Sequence, residues 1–143
     1  MCVKQVSIIL NNVPGMFLSV SECLARESIN IRAISVADTS GTSTVRFVTD
    51  NPEKTVNVLK SNSYTVIEND VIAVEIPDHP GALRAVLKPL KESHINVLYF
   101  YTYLGRGESG QPIVIIGVDK TEEAVEALKR NWVHTFGNEI YAL

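Results

Sequence analysis

Two short stretches of the 143-residue chain carry the residue types and spacing that could do chemistry. One is Asn12-Val13-Pro14-Gly15-Met16-Phe17; the other is Asp78-His79-Pro80-Gly81-Ala82-Leu83. In each, a turn with Pro-Gly leads into an apolar pattern of helical period. Glycine lets a ligand approach the backbone closely. The first N–H groups of the helix have no partner of their own, and with the helix dipole they favour an anion such as a carboxylate. Asn12 adds an amide that both donates and accepts at this mouth, and Asp78 holds the matching place in the second stretch. Fifteen residues after each glycine stands an asparagine at a strand start, Asn30 before Ile31 and Asn96 before Val97. Carboxylate at the helix end and ammonium on amide oxygens would suit an α-amino acid. Each asparagine taken singly also reads as a helix cap or turn former. It is the repeated pairing that points to binding.

Enzyme chemistry has little to stand on. The histidines, His79, His94 and His134, lie beside no serine, cysteine or aspartate in a nucleophile motif. There is no phosphate loop, dinucleotide fingerprint or zinc-protease motif. Cys23 adjoins Leu24 on the helical stripe and reads as an inert buried thiol. With Cys2 it forms no disulfide framework and no zinc set, so no metal and no cofactor are expected. An acylphosphatase would need an arginine in the turn after the first strand, where Asn11, Asn12 and Val13 stand. Thirteen basic and 16 acidic residues give a formal charge of −3, which excludes a basic nucleic-acid binder. No apolar run reaches the roughly 20 residues that cross a bilayer. The N-terminus lacks a secretory apolar region. A reducing cytoplasm is the expected location.

The elements that position these turns come as a repeat. A shift of 66 places Val6, Ile8 and Leu10 on Ile72, Val74 and Ile76, the first turn on the second, Val20 on Val86 and Leu24 on Leu90. Further on the shift is 69, with Val58-Leu59-Lys60 on Ala127-Leu128-Lys129. The three extra residues fall in the loop 105–110. The copies are residues 1–70 and 71–143. Each reads as strand, helix, two strands, helix, strand. In the first copy the strands lie about 6–10, 30–37, 43–49 and 64–68, with the second helix at 52–60. In the second they lie about 72–76, 96–104, 113–118 and 134–142, with the second helix at 121–130. Pro89 falls inside the second copy's first helix and is expected to kink or shorten it. The order β-α-β-β-α-β makes the fold class α+β, two ferredoxin-like units with helices on one face of an antiparallel sheet.

The second copy's hairpin is apolar on both faces. Val97, Tyr99, Tyr101 and Tyr103 alternate with Leu98, Phe100 and Leu104, and Ile113 to Ile116 are apolar throughout. Either the chain buries both faces itself, or a second subunit covers one of them; an exposed apolar face of that size is a liability, and a homodimer is the expectation. The tyrosines lack the basic flanks of an RNA-binding sheet.

The motifs Asn12-Val13-Pro14-Gly15 with Ile29-Asn30-Ile31, and Asp78-His79-Pro80-Gly81 with Ile95-Asn96-Val97, resemble the ACT domain. The likeness covers nearly the whole chain as two units and is similar to stand-alone tandem ACT proteins of prokaryotes. It implies a sensor of small molecules, most often amino acids, in the regulation of amino-acid metabolism. It also implies units paired side by side into one eight-stranded sheet, with the ligand where one unit's turn faces its neighbour's strand start. By resemblance to the serine-binding ACT domain of phosphoglycerate dehydrogenase, Asn12, Gly15 and Asn30 take the binding positions, with Gly81 and Asn96 in the second copy. Two departures matter. That family's histidine two places before the turn asparagine is Leu10 here and Ile76 in the second copy, which leaves side-chain specificity open. Asp78 opposes a nearby carboxylate and instead suits an ammonium group. The resulting expectation is a non-catalytic, cytoplasmic regulatory protein binding a free L-amino acid. Asn12 to Phe17 hold the carboxylate and Asn30 with Ile31 complete the site. Asp78 to Leu83 with Asn96 and Val97 form its counterpart. The alternative is a regulatory subunit that meets an enzyme partner through its sheet face with no ligand of its own.

Overall fold

The Pro-Gly turns set the frame on which everything else hangs. In the computed structural model, which describes residues 2–143, the chain divides into two compact units. One is Lys4–Asn69; the other is Asp70–Leu143, with which Cys2 and Val3 cluster. The first unit runs β1 (Val3–Asn11), α1 (Met16–Arg26), β2 (Ile31–Thr39), β3 (Thr42–Thr49) and α2 (Pro52–Ser61). β4 (Val66–Glu75) crosses the boundary. Then come α3 (Ala82–Glu92), β5 (Val97–Arg106), β6 (Pro112–Val118), α4 (Thr121–Arg130), β7 (Thr135–Phe136) and a 3₁₀ turn (Asn138–Ala142).

Within the first unit β3 pairs antiparallel with both β1 and β2, Ile8 opposite Val45 and Ile34 opposite Phe47. Within the second, β6 pairs with β4 and β5, and β4 also with β7. Period-2 residues of the strands meet period-3.6 stripes of the helices. Val6, Ile8, Leu10, Val45 and Phe47 pack against Val20, Cys23 and Leu24 of α1 and Val56 and Leu59 of α2. Ile72, Val74, Val114, Ile116 and Val118 pack against Val86 and Leu90 of α3 and Ala124, Val125 and Leu128 of α4. In each unit, then, both helices lie on one face of the strands, as the stripes predict.

The strand inventory is corrected. Seven strands, not eight, are present among the described residues, so the expected eight-stranded sheet is not formed. The strand expected to close the first copy and the one expected to open the second are a single run, Val66–Glu75, which continues through Asn69-Asp70 with no Gly or Pro to break it. The last strand is also shorter than expected. β7 ends at Phe136, and after Gly137 the chain coils into the 3₁₀ turn around a fully buried Ile140. The Tyr103 hydroxyl donates to the Ile140 carbonyl at 2.9 Å and anchors that turn. The backbone N–H groups of Gly137 and Glu139 hold the Glu139 carboxyl below the usual carboxylate range, with His134 adding a smaller pull. Pro89 does not shorten α3. The helix spans 11 residues, as α1 does, with proline in its last turns.

Strand β6 is buried on both faces by the chain itself, Ile113 to Val118 throughout, as are Tyr101 and Tyr103 on one face of β5. Leu98, Phe100 and Leu104 stay 57%, 49% and 69% exposed. Gly117 lets the hairpin pack. A Cβ there would fall within the Tyr99 ring, a cross-strand neighbour in register. Gly117→Ala should therefore cost about 1–3 kcal/mol of stability through overpacking, read as a shifted denaturant midpoint with unchanged slope. No described helix is long and apolar enough to cross a membrane.

Candidate functional site

Glycine in the left-handed region shapes both turns identically. Gly15 has φ 88° and ψ −7°, Gly81 φ 84° and ψ −3°. A residue with a Cβ would be strained in that conformation. The same bonds recur around each. The N–H of Val13 donates to the Asn11 carbonyl at 3.0 Å, and that of His79 to Pro77 at 3.0 Å. Met16 N–H reaches the Val13 carbonyl at 3.2 Å, and Ala82 N–H the His79 carbonyl at 3.3 Å. The helical ladder opens with Ser19 N–H to Gly15 at 3.0 Å and Ala85 N–H to Gly81 at 3.3 Å.

Between those bonds two N–H groups per turn are left over. Phe17 and Leu18, and likewise Leu83 and Arg84, have no acceptor among the described residues. No side chain caps either helix. Adjacent N–H groups at the positive end of a helix dipole are an acceptor-seeking pair. No atom lies within 4 Å of the place a Cβ would occupy on Gly15 or Gly81, so both approaches are open.

The flanking polar residues differ. Asn12 is tied to the tip of the β2–β3 hairpin: its N–H donates to the Gly41 carbonyl at 2.7 Å and its Nδ2 to Asp38 Oδ1 at 3.2 Å. Asp38 also accepts from Ser43 Oγ at 3.4 Å. Asn12 thus braces the turn through its amide nitrogen while its oxygen remains available. Asp78 is exposed at the equivalent place, and the neighbouring His79 pairs its Nδ1 with the Pro80 carbonyl at 2.9 Å.

Asn30 and Asn96 are held by an arrangement that sequence reasoning missed. Asn30 N–H donates to Asp50 Oδ1 at 3.0 Å, and Asp50 N–H returns to the Asn30 carbonyl at 3.0 Å. Asn96 and Asp119 repeat this at 3.0 and 3.2 Å. The shift of 69 places Asp50 on Asp119, and that signal was there to be read. Both strand starts are bulged, after Ile31 and after Val97. The clamp uses only the main chain of each asparagine, so the side-chain amides of these exposed residues are not part of it.

Asn12 and Asn30 do not meet within a unit. Asn11 pairs opposite Thr42 at the hairpin end, whereas Ile31 pairs opposite Thr49 at the other end of β3. The 11 residues of α1 carry the chain back along the sheet by about 16 Å. Asp78 and Asn96 are separated by α3 in the same way. Asn30 with Ile31 therefore cannot complete the turn of their own unit. Nor can Val97 with Asn96 in the second. Ile31 and Phe17 do border a common apolar pocket in the first unit, but its volume of about 30 Å³ is roughly one water's share.

Among the described residues no group of three His, Cys, Asp or Glu is placed to hold a metal ion.

The sequence profile described as "ACT domain pair" matches residues 1–140. No curated protein matches the chain. Among solved structures, protein BT0572 from Bacteroides thetaiotaomicron is 30% identical with a TM-score of 0.91, over 100% of this chain and 98% of that one. The ligand-free regulatory subunit of aspartate kinase from Thermus thermophilus shares the fold at 15% identity and TM-score 0.65, over 90% and 92% of the two chains. The corresponding subunit from Thermus flavus gives 16% and 0.60 over the same shares.

Proposed function

Because the chain belongs to the ACT domain pair family, we propose that it is a non-catalytic regulatory protein that binds a free L-amino acid at the turns of its ACT units and signals to amino-acid metabolism. The observation that carries this reading is the duplicated pair of vacant N–H groups, Phe17 with Leu18 and Leu83 with Arg84, behind glycines of matching conformation. They hold the ligand's carboxylate. The regulatory subunits of aspartate kinase that share the fold fit a role of this kind. Val13, Pro14 and Met16 in the first turn, and His79, Pro80 and Ala82 in the second, shape the backbone that presents these donors. The ammonium group is met by a strand-start asparagine, Asn30 or Asn96. As each lies at the far end of its own unit, that amide comes from another copy of the unit. Asp78 gives the second turn a different charge, so the two sites bind with different affinity.

Calorimetric titration with the common L-amino acids tests the reading. Saturable heat with at least one supports it; none with any of them, in folded protein, refutes it. Asn30→Ala leaves the main-chain clamp to Asp50 in place. It should weaken binding by about 1 kcal/mol or more while the thermal midpoint stays within a few degrees.

Binding changes the populations of two arrangements, and a protein partner reads the change. The partner is an enzyme of amino-acid metabolism, and the setting is the cytoplasm. The exposed Leu98, Phe100 and Leu104 supply an apolar strip for a second copy of the chain. The same strip supports the other reading, a subunit that contacts an enzyme and takes no ligand. Co-purification with an enzyme together with a silent calorimeter would favour it.

A further inference from the structure

The repeat departs from itself at the exposed turn after α4. Trp132, the chain's single tryptophan, ends the turn after α4 where the shift of 69 places Ser63 in the first unit. Both residues are left-handed, φ 62° and 67°. Both turns carry the same bonds: Trp132 N–H donates to Lys129 at 3.1 Å, Ser63 N–H to Lys60 at 3.0 Å. A small polar residue therefore serves this turn, and a bulky one is disfavoured in it. The ring is nevertheless there, 96% exposed. Turn geometry does not account for it.

Its surroundings do. Trp132 borders a groove of about 320 Å³ whose wall includes Ala82 and Val86 of α3, with Glu75 and His134 also lining it. That volume is in the range of small-molecule pockets. Glu75 and His134 also border an adjoining cavity of about 400 Å³ that Glu108 and Glu139 line. Three carboxylates against one histidine make the potential there negative. The Glu75 carboxylate accepts from the Ser109 hydroxyl through Oε1, and its second oxygen can take a further donor.

We propose that this groove binds a small organic cation, an apolar or aromatic body lying between Trp132 and α3 with its ammonium group on Glu75. The ring face of Trp132 adds a cation–π or stacking surface. The groove shares Ala82 with the second turn, but the charge it takes is opposite to the carboxylate that the turn amides hold.

The test uses the full chain and the emission of Trp132. Phenethylamine is the probe, and phenylacetate, of the same body and opposite charge, is the control. Phenethylamine should give a saturable change, with phenylacetate at least about tenfold weaker. Glu75→Gln should weaken phenethylamine by about tenfold. Ala85→Leu, at an exposed groove-lining position that tolerates the larger side chain, should do the same by filling the space. Equal response to both probes, an unchanged titration in Ala85→Leu, or no saturation up to about 10 mM would overturn the proposal.

Discussion

Leu18→Pro should weaken amino-acid binding at the first turn by about tenfold or more while leaving the fold intact. Proline removes one N–H and is accepted in the first helical turn because that N–H makes no helical bond. Leu18 is the third residue of α1, 63% exposed, and its N–H has no acceptor among the described residues. The fold therefore loses no hydrogen bond of its own. A carboxylate on that N–H loses a charge-assisted one, about 1.5–3 kcal/mol, or tenfold to 150-fold in affinity. Arg84→Pro is the counterpart in the second turn. Arg84→Pro also removes a cation, so Arg84→Gln is its control, keeping the N–H and losing only the charge. Calorimetry on the four proteins separates backbone from side chain. If Leu18→Pro binds as the parent does, the carboxylate is not on the turn.

The largest stability losses are expected at Leu59→Ala and Leu128→Ala. The two residues are equivalent under the shift of 69 and fully buried, each in the helix–strand core of its unit. Removing three buried carbons from such a site costs about 2–5 kcal/mol, transfer and cavity together. Against a total of about 5–15 kcal/mol, either change takes a large share. Urea unfolding monitored by circular dichroism reads both. Losses under about 1 kcal/mol would mean that these cores are not packed as described. Leu104→Ala, on the 69% exposed residue of β5, is the surface control and should change little.

Most of the unit's interior was legible because it depends on local pattern. The alternation of Val6, Ile8 and Leu10 and the stripe of Val20 and Leu24 fixed both the element and the buried face. The Pro-Gly pair marked the helix start to within two residues: Pro14 and Pro80, expected in the first helical turn, lie just before it, and each glycine caps the helix that begins at Met16 or Ala82. What failed was long-range or depended on a single anchor. Nothing local tells that Glu68 to Ile72 continue as one strand. The 3₁₀ turn at Asn138–Ala142 rests on Tyr103 reaching Ile140, 37 positions away. Hydrophobicity on both faces of β6 left the covering layer open, and the chain supplies most of that burial itself.

The site was legible in half. The turns were read correctly as places of vacant N–H groups, because that follows from the helix start alone. Where Asn30 and Asn96 stand within their units was not, because a spacing of 15 residues does not tell that an 11-residue helix carries each to the far end of its unit. The aspartates Asp50 and Asp119, which fix those asparagines, went unnoticed beside the more conspicuous amides. Trp132 was invisible as a feature until its left-handed conformation and exposure were known.

The central claim is that a guest carboxylate takes the unpaired amides behind Gly15 and Gly81. Backbone amide NMR of the full chain, titrated with the L-amino acid that gives calorimetric heat, tests it most directly. The account predicts large downfield proton shifts at Phe17 and Leu18, at Leu83 and Arg84, or at both pairs, saturating with the heat. Saturating heat with all four resonances unmoved would contradict it.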